Sequence, residues 1–346
     1  MKKRTAIDLF SGAGGLTQGL KQAKFNVVGA VENHSTYAES YRLNHPKTQL
    51  VEDSITNIDP VEYMKQLGLK EGDLDLLAGC PPCQGYSTIG TRNRGQKNDP
   101  RNDLVYEVLR FAKAFKPKTI MMENVPALAN DERLKKLRDD LESEGYDIDV
   151  KVLNMSHYMV PQARRRMIML ASRVGSVEVI SQELDKKEMK TVRDAIEFLP
   201  DSGKSGDPLH DIIENRTDKI KERIAMIPKD GGSRTDLDES LQLECHKRTT
   251  GFKDVYGRMS WDKPSPTITG GCISPSKGRF LHPVKNRAIT LREASLLQTF
   301  PKDYKFSFNS GKQGVAMMIG NALPPVFIEF HAKSLLKHLT VANNKT

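Results

Sequence analysis

The stretch at residues 77–87, LAGCPPCQGYS, sets Cys80 and Cys83 three positions apart between glycines and prolines. Three chemistries fit that spacing. A thioredoxin-like redox pair needs a thiol at a helix N-terminus, where its pKa falls, whereas the two prolines and the QGYSTIG that follows point to a longer ordered loop. A tetrahedral zinc site needs further ligands, and Cys245, His246 and Cys272 form no second close pair. The third reading is a single reactive thiol at one of the two, and the plain alternative is a buried, inert Cys80 beside an exposed Cys83. Spacing alone leaves all three open. Two further groups invite chemistry: Glu123, at the end of the apolar run in TIMMEN, and the cations of QARRR at residues 162–166, which taken alone are equally a solvated charge cluster.

An α/β framework must carry these groups. TAIDLF reads as a short apolar strand, SGAGG as a tight turn and LTQGLKQAK as a helix; FNVVGAVEN then returns as a strand and residues 35–44 as a helix. The alternation continues through DLDLLAG, the helix DLVYEVLRFAKAF, the strand TIMMEN, a charged helix over 131–144, YDIDVKVLN and RRMIMLAS. Such a pattern implies a parallel sheet with helices on its faces. Cys83 and Glu123 fall at or just beyond carboxyl ends of strands, where open sheets place their ligands. From 172 to 283 the chain is rich in Gly, Pro, Ser and charge, as in WDKPSPTITGGCISPSKGRF, which fits a smaller, irregular second domain. Helical periodicity returns over 314–339, where paired prolines must break or kink it. The expected division is 1–172, 173–310 and a C-terminal segment, 311–346, that returns to the first domain.

Composition bounds the function. The 346 residues are 38% hydrophobic and 28% charged, as in a soluble globular protein. No run reads as the roughly 18 to 20 apolar residues of a membrane span, and the N-terminus turns glycine-rich where a secretory signal needs its apolar centre. A cytoplasmic protein is therefore expected. Four cysteines in a chain of this length make a disulfide scaffold unexpected. A net charge of +9 and a pI near 9.2 favour a polyanionic partner, through long-range attraction and counterion release.

The turn in DLFSGAGG follows a strand, and Gly12, Gly14 and Gly15 can take positive φ or admit a ligand close to the backbone. It matches neither the dinucleotide G-x-G-x-x-G pattern nor the phosphate-binding G-x-x-x-x-G-K-[ST], which argues against a nicotinamide cofactor or a nucleoside triphosphate. Glu32 ends the second strand, where an acidic residue accepts ribose hydroxyls, and Asp53 precedes a third short segment, SITNI. An adenosine-containing cofactor without a phosphate cradle fits this order, and S-adenosylmethionine is the natural candidate.

In several places, in order, the chain resembles the DNA cytosine-5 methyltransferases. DLFSGAGG is similar to the family's turn around the methionine part of S-adenosylmethionine; PPCQGYS contains the proline-cysteine-glutamine signature of the nucleophile; ENV at 123–125 resembles the catalytic glutamate motif; QARRR fits Q-x-R-x-R. RAITLREASLLQTFP looks like the helix that organises the small domain, and GNALPP at 320–325 like the last motif, which closes the cofactor pocket. The resemblance implies a Rossmann-like methyltransferase fold with a mixed, mostly parallel sheet and a small target-recognition domain. It implies a pocket for S-adenosylmethionine, with S-adenosylhomocysteine as product, from Phe10, Ser11, Gly12, Gly14, Gly15, Glu32, Asn33, Asp53, Ser54, Ile55, Pro82, Leu104, Asn321 and Ala322. No metal is expected.

By the same resemblance Cys83 is the nucleophile, Glu123 the proton-bearing partner of the cytosine ring, Arg166 the holder of the cytosine O2, and Arg164 the residue that steadies the loop or thiolate. Gln84, Ser87, Arg234, His246, Lys247, Arg248 and Thr267 are the candidate DNA contacts. The implied partner is double-stranded DNA, bound by a monomer, with a functionally paired restriction endonuclease and a nucleoid-associated, cytoplasmic location. Two alternatives stand beside this reading: a tRNA cytosine-5 methyltransferase of the DNA-type branch, and a non-enzymatic DNA-binding relative.

Overall fold

The structure is a computed structural model that describes residues 3–82, 99–212, 214–238, 240, 242 and 254–343. In the first unit, β1 (Thr5–Leu9), β2 (Asn26–Val31), β3 (Gln49–Val51), β4 (Leu76–Gly79), β5 (Thr119–Asn124), β6 (Asp147–Asn154) and β7 (Arg165–Ser172) form one sheet in the order β3-β2-β1-β4-β5-β7-β6. Neighbours among β1 to β5 pair in parallel, while β7 runs antiparallel to both β5 and β6. Every residue of β4 and β5 is buried, as the uninterrupted apolar runs LLAG and TIMM require of strands covered on both faces. Strand order reverses between β1 and β4, so their carboxyl ends open a crevice.

Helices α1 (Gly15–Gln22), α2 (Ser35–Asn44), α3 (Pro60–Gln66), α4 (Val105–Phe115) and α5 (Glu132–Ser143) connect these strands. In α4 the buried positions Val105, Val108, Leu109, Ala112 and Phe115 recur at helical spacing and join the core that includes Leu77, Ile120 and Met122. Neither β3 nor α3 was expected as an element. β3 is three residues at the sheet edge, too short for periodicity; α3 carries its signal in Asp59, whose carboxylate accepts from the Val61 and Glu62 N–H groups, followed by Pro60.

The second unit comprises Met159–Arg164 and Leu184–Ala322. It contains α6 (Val192–Ile196), α7 (Asp218–Met226), α8 (Leu291–Leu297) and α9 (Gly311–Asn321) among long irregular stretches. Loops leave carbonyls that need donors, and Arg258, fully buried, supplies many of them: its guanidinium donates to the carbonyls of Ile224, Ile227, His282 and Lys285 and to Asn286 Oδ1. Part of the chain's positive charge is thus structural.

Chain division differs from the expected 1–172, 173–310 and 311–346. Residues 159–164 belong to the second unit because the Gln162 carboxamide donates to Leu297 O and Gln298 Oε1 and accepts from Ile268 N. Residues 311–322 stay there as well, since Gln298 Nε2 donates to Ile319 O at 2.6 Å and to Ala322 O at 3.3 Å. The return to the first unit begins at Leu323 and forms α10 (Pro325–Asn343). Among the described residues, Gly311–Ala342 is one run long and apolar enough to cross a membrane by length and composition, against the expectation of none. Two-thirds of its apolar window is buried, and the backbone leaves the helical state between α9 and α10.

Gly19 lets α1 and α10 approach: a Cβ there would lie 2.5 Å from Pro325 O and 2.6 Å from Ile328 Cβ. Gly19→Ala would gain about 1 kcal/mol in helix propensity, but a backbone carbonyl cannot step aside, and overpacking costs about 1–3 kcal/mol. The variant is expected to melt below the wild type in thermal denaturation; an equal or higher midpoint would show that the helices have room.

Candidate active site

Most of the sequence-expected cofactor residues lie at carboxyl ends of the parallel strands. β1 delivers Phe10, with φ of 61°, and then Gly12 and Gly14, with φ of 55° and 96°. Glu32, just past β2 and 8% exposed, receives Gly12 N–H on Oε2 and His34 N–H on Oε1, both at 2.8 Å. Burial raises its pKa, against the pull of those backbone donors. Each oxygen keeps acceptor capacity for a ligand hydroxyl. Asn33 is exposed beside it, and Ser11 Oγ is buried with no partner among the described residues.

Past β3, the exposed Asp53 accepts from Ser54 N at 2.6 Å and Asn57 Nδ2 at 2.9 Å, while Ile55 is buried and its carbonyl is held by Arg110 Nη2 at 2.6 Å. Pro82 and Leu104 are half-buried in the same unit, Leu104 against the core. An orphaned hydroxyl, a clamped acidic residue and glycines with no atom near a Gly12 Cβ form a donor and acceptor set that fits an adenosine-type cofactor. Asn321 and Ala322 belong to the second unit, the first exposed at the end of α9 and the second bonded to Ile319 and Gln298.

Glu123 stands near the end of β5, 6% exposed. Its register partner on β7 is Ile168, and Arg166, two residues along the same face, reaches it diagonally with Nε 3.1 Å from Glu123 Oε1. The reversed direction of β7 puts its first residues beside the last residues of β5. Asn124, which sequence reading left without a role of its own, donates from Nδ2 to Pro81 O at 3.0 Å and so fixes the chain just before Cys83; its Oδ1 accepts from Val125 N. The ENV motif was the available signal.

Arg164 lies in the second unit, buried, donating to Ile268 O at 2.9 Å and Gly320 O at 3.2 Å. Its bonds hold the backbone of that unit together. Thr267 donates to Ala163 O at 3.1 Å. Arg234 is 4% exposed within a capped turn, where Ser233 and Asp236 close on each other; an interior arginine is poorly placed to touch bases. Cys83, Gln84, Ser87, His246, Lys247 and Arg248 lie outside the described residues.

Cys80 donates its N–H to Leu9 O at 3.3 Å, and its thiol is pushed well above its usual pKa, first by burial and then by the charges of Glu123 and Asp8. A thiol held protonated is a poor nucleophile. Cys80→Ala is therefore expected to keep methyl transfer within a few-fold of wild type in a labelled-methyl assay. Loss of turnover in the folded variant would instead show that the two cysteines act together.

The reversed β7 beside a parallel sheet with a glycine turn after β1 defines the Rossmann-like methyltransferase class. A prophage-encoded DNA modification methyltransferase of E. coli has this fold, with a TM-score of 0.69 and 25% identity over 98% of this chain and all of that one. S. pombe Dnmt2 shares the fold as well, with a TM-score of 0.62 at 20% identity, covering 98% and 99% of the two chains. Residues 4–337 match the C-5 cytosine-specific DNA methylase family, and the chain belongs to it. Its relatives include the Type II methylase M.HgiDII of Herpetosiphon aurantiacus, 35% identical over 96% of this chain and 95% of that protein. The Type II methyltransferase M1.HphI of Haemophilus parahaemolyticus is 34% identical over 96% and 87%. The protein is a DNA cytosine-5 methyltransferase.

Proposed function

We propose that this enzyme moves the methyl group of S-adenosylmethionine to carbon 5 of a cytosine rotated out of a specific duplex sequence, as the modification half of a Type II restriction system. The observation that carries the mechanism is the buried Glu123 carboxyl, held by Arg166 one strand from the chain that leads into Cys83. Carbon 5 of cytosine is a weak nucleophile. Addition of the Cys83 thiolate to carbon 6 breaks aromaticity and gives carbon 5 enamine character. Glu123 hydrogen-bonds N3 and the exocyclic amine and stabilises the charge created there, while Arg166 orients the carboxyl and offers donors to O2.

Phe10, Ser11, Gly12, Glu32, Asp53 and Leu104 would hold the cofactor, whose sulfonium supplies an activated methyl group. Loss of the carbon 5 proton and elimination of Cys83 complete the cycle. A stacked base is beyond reach of a buried carboxyl, so the cytosine must leave the helix. The second unit supports the recognition role: it is loop-rich, and its described surface carries Thr267 and the lysines of an overall basic chain. A monomer in the cytoplasm, associated with the nucleoid and paired with an endonuclease of the same specificity, completes the reading.

Bisulfite sequencing of DNA from cells expressing the chain tests it. Unconverted cytosines confined to one sequence context are expected; complete conversion, or protection found only in RNA, would overturn it.

A further inference from the structure

The glycine turn is fastened from below by a side chain that the expected cofactor set omits. The first turn of α1 needs an acceptor for its third N–H, a role usually met by the residue at the N-cap. Here that residue is Gly14, which has no side chain. Asp8 of β1, completely buried, acts in its place: Thr17 N donates to Asp8 Oδ2 at 3.0 Å and Thr17 Oγ1 at 2.6 Å. Because the Thr17 hydroxyl proton is directed to Asp8, the Tyr41 hydroxyl, 2.9 Å away, donates to Thr17 Oγ1. From the other side His45 Nε2 lies 3.2 Å from Gly14 O, with Lys21 Nζ 3.2 Å from Nδ1, so His45 donates to the turn and accepts from the lysine. Asp8 Oδ1 has no partner among the described residues.

We propose that Asp8 is a positioning residue for the cofactor turn: through Thr17 it fixes the start of α1, and with it the place of the Gly12 N–H and the Glu32 carboxylate that the N–H clamps. This rests on reading the turn as the S-adenosylmethionine site. Both bonds end on Oδ2, so a neutral carboxyl with its proton on Oδ1 keeps them, and asparagine reproduces that arrangement. Burial, with the charge of Glu32 adding to it, raises the Asp8 pKa to about 7. The titratable groups facing it are Tyr41 on α2, Tyr63 on α3, Glu32 after β2 and Cys80 after β4. Near neutrality Asp8 therefore exchanges a proton. A cofactor of net positive charge favours the ionised form, so its affinity rises with pH through that range, while the electrically neutral product gains no such increase.

Calorimetric titration of S-adenosylmethionine and S-adenosylhomocysteine into the full-length wild type, Asp8→Ala, Asp8→Asn and Thr17→Val between about pH 6 and 8.5 tests this. Asp8→Ala is expected to weaken both ligands about tenfold, the size of a lost helix cap, and to raise KM for the cofactor while kcat at saturation changes little. Asp8→Asn restores binding at the acid end and abolishes the pH dependence of S-adenosylmethionine affinity. Wild-type affinity in Asp8→Ala, or a pH profile that is the same in wild type and Asp8→Asn, overturns the inference. Should Asp8→Ala fail to fold, Asp8→Asn carries the test: a pH profile of S-adenosylmethionine affinity like that of the wild type refutes the role, while Thr17→Val, which keeps the backbone bond and loses the hydroxyl, is expected to weaken both ligands less than about tenfold, and a larger loss there would place the role in Thr17 and not in Asp8. A wild type that binds neither ligand refutes the cofactor reading itself, whereas binding insensitive to Asp8 refutes only the positioning role.

Discussion

Replacing Cys83 with serine is expected to abolish methyl transfer, lowering the single-turnover rate by at least about a thousandfold. Cofactor and DNA affinity should stay within a few-fold of wild type. The ground is chemical: a thiol yields its anion within a few pH units of neutrality, and a hydroxyl does not, so without sulfur carbon 6 receives no nucleophile at useful concentration. A second readout separates this from a general defect. Duplex DNA with fluorine at carbon 5 of the target cytosine should trap a covalent protein–DNA adduct on the wild type, because fluorine cannot leave as a proton does. The serine variant should form none. Turnover or an adduct in that variant would move the nucleophile elsewhere.

Glu123→Gln carries the next largest effect. Glutamine keeps the volume and one carbonyl acceptor, removes the exchangeable proton and the charge, and leaves Arg166 facing an amide in a buried position. General acid-base contributions of this kind run to about 10²–10⁴ in rate. A fall of that order in the chemical step, with cofactor binding intact, is expected in single-turnover experiments. Because the side chain is buried beside a cation, thermal denaturation of the same variant distinguishes lost chemistry from lost structure. A normal chemical step in a folded Glu123→Gln would exclude the proposed role at N3.

Long apolar runs and glycine punctuation made the core of the first unit readable: TAIDL, NVVGAV, LLAG and TIMMEN are strands where expected, and Glu123 and Glu32 fall at their ends. Short elements were not readable. β3 depends on edge pairing with β2, not on any pattern of its own. Residues brought in by tertiary bonds were equally opaque. Nothing local to Gln162 says that its carboxamide anchors it to Ile268 and Gln298, or that Arg164 would follow it into the second unit. Charge was legible only as a sum, since +9 does not distinguish an interior Arg258 or Arg234 from a surface cation. Asp8 looked like part of a strand because its function is defined across nine residues of chain, at Thr17.

The return of the chain at Leu323 bears on how the enzyme comes into being. α1 is closed by α10, a segment some three hundred residues later in synthesis, and the whole second unit is made in between. On a ribosome adding about 5–20 residues per second, the N-terminal sheet emerges early yet waits, with the face of α1 around Gly19 uncovered, until Pro325 and Ile328 arrive. A chain halted before that point exposes apolar surface that chaperones and proteases recognise. Covering of α1 by α10 therefore follows the making of the whole second unit.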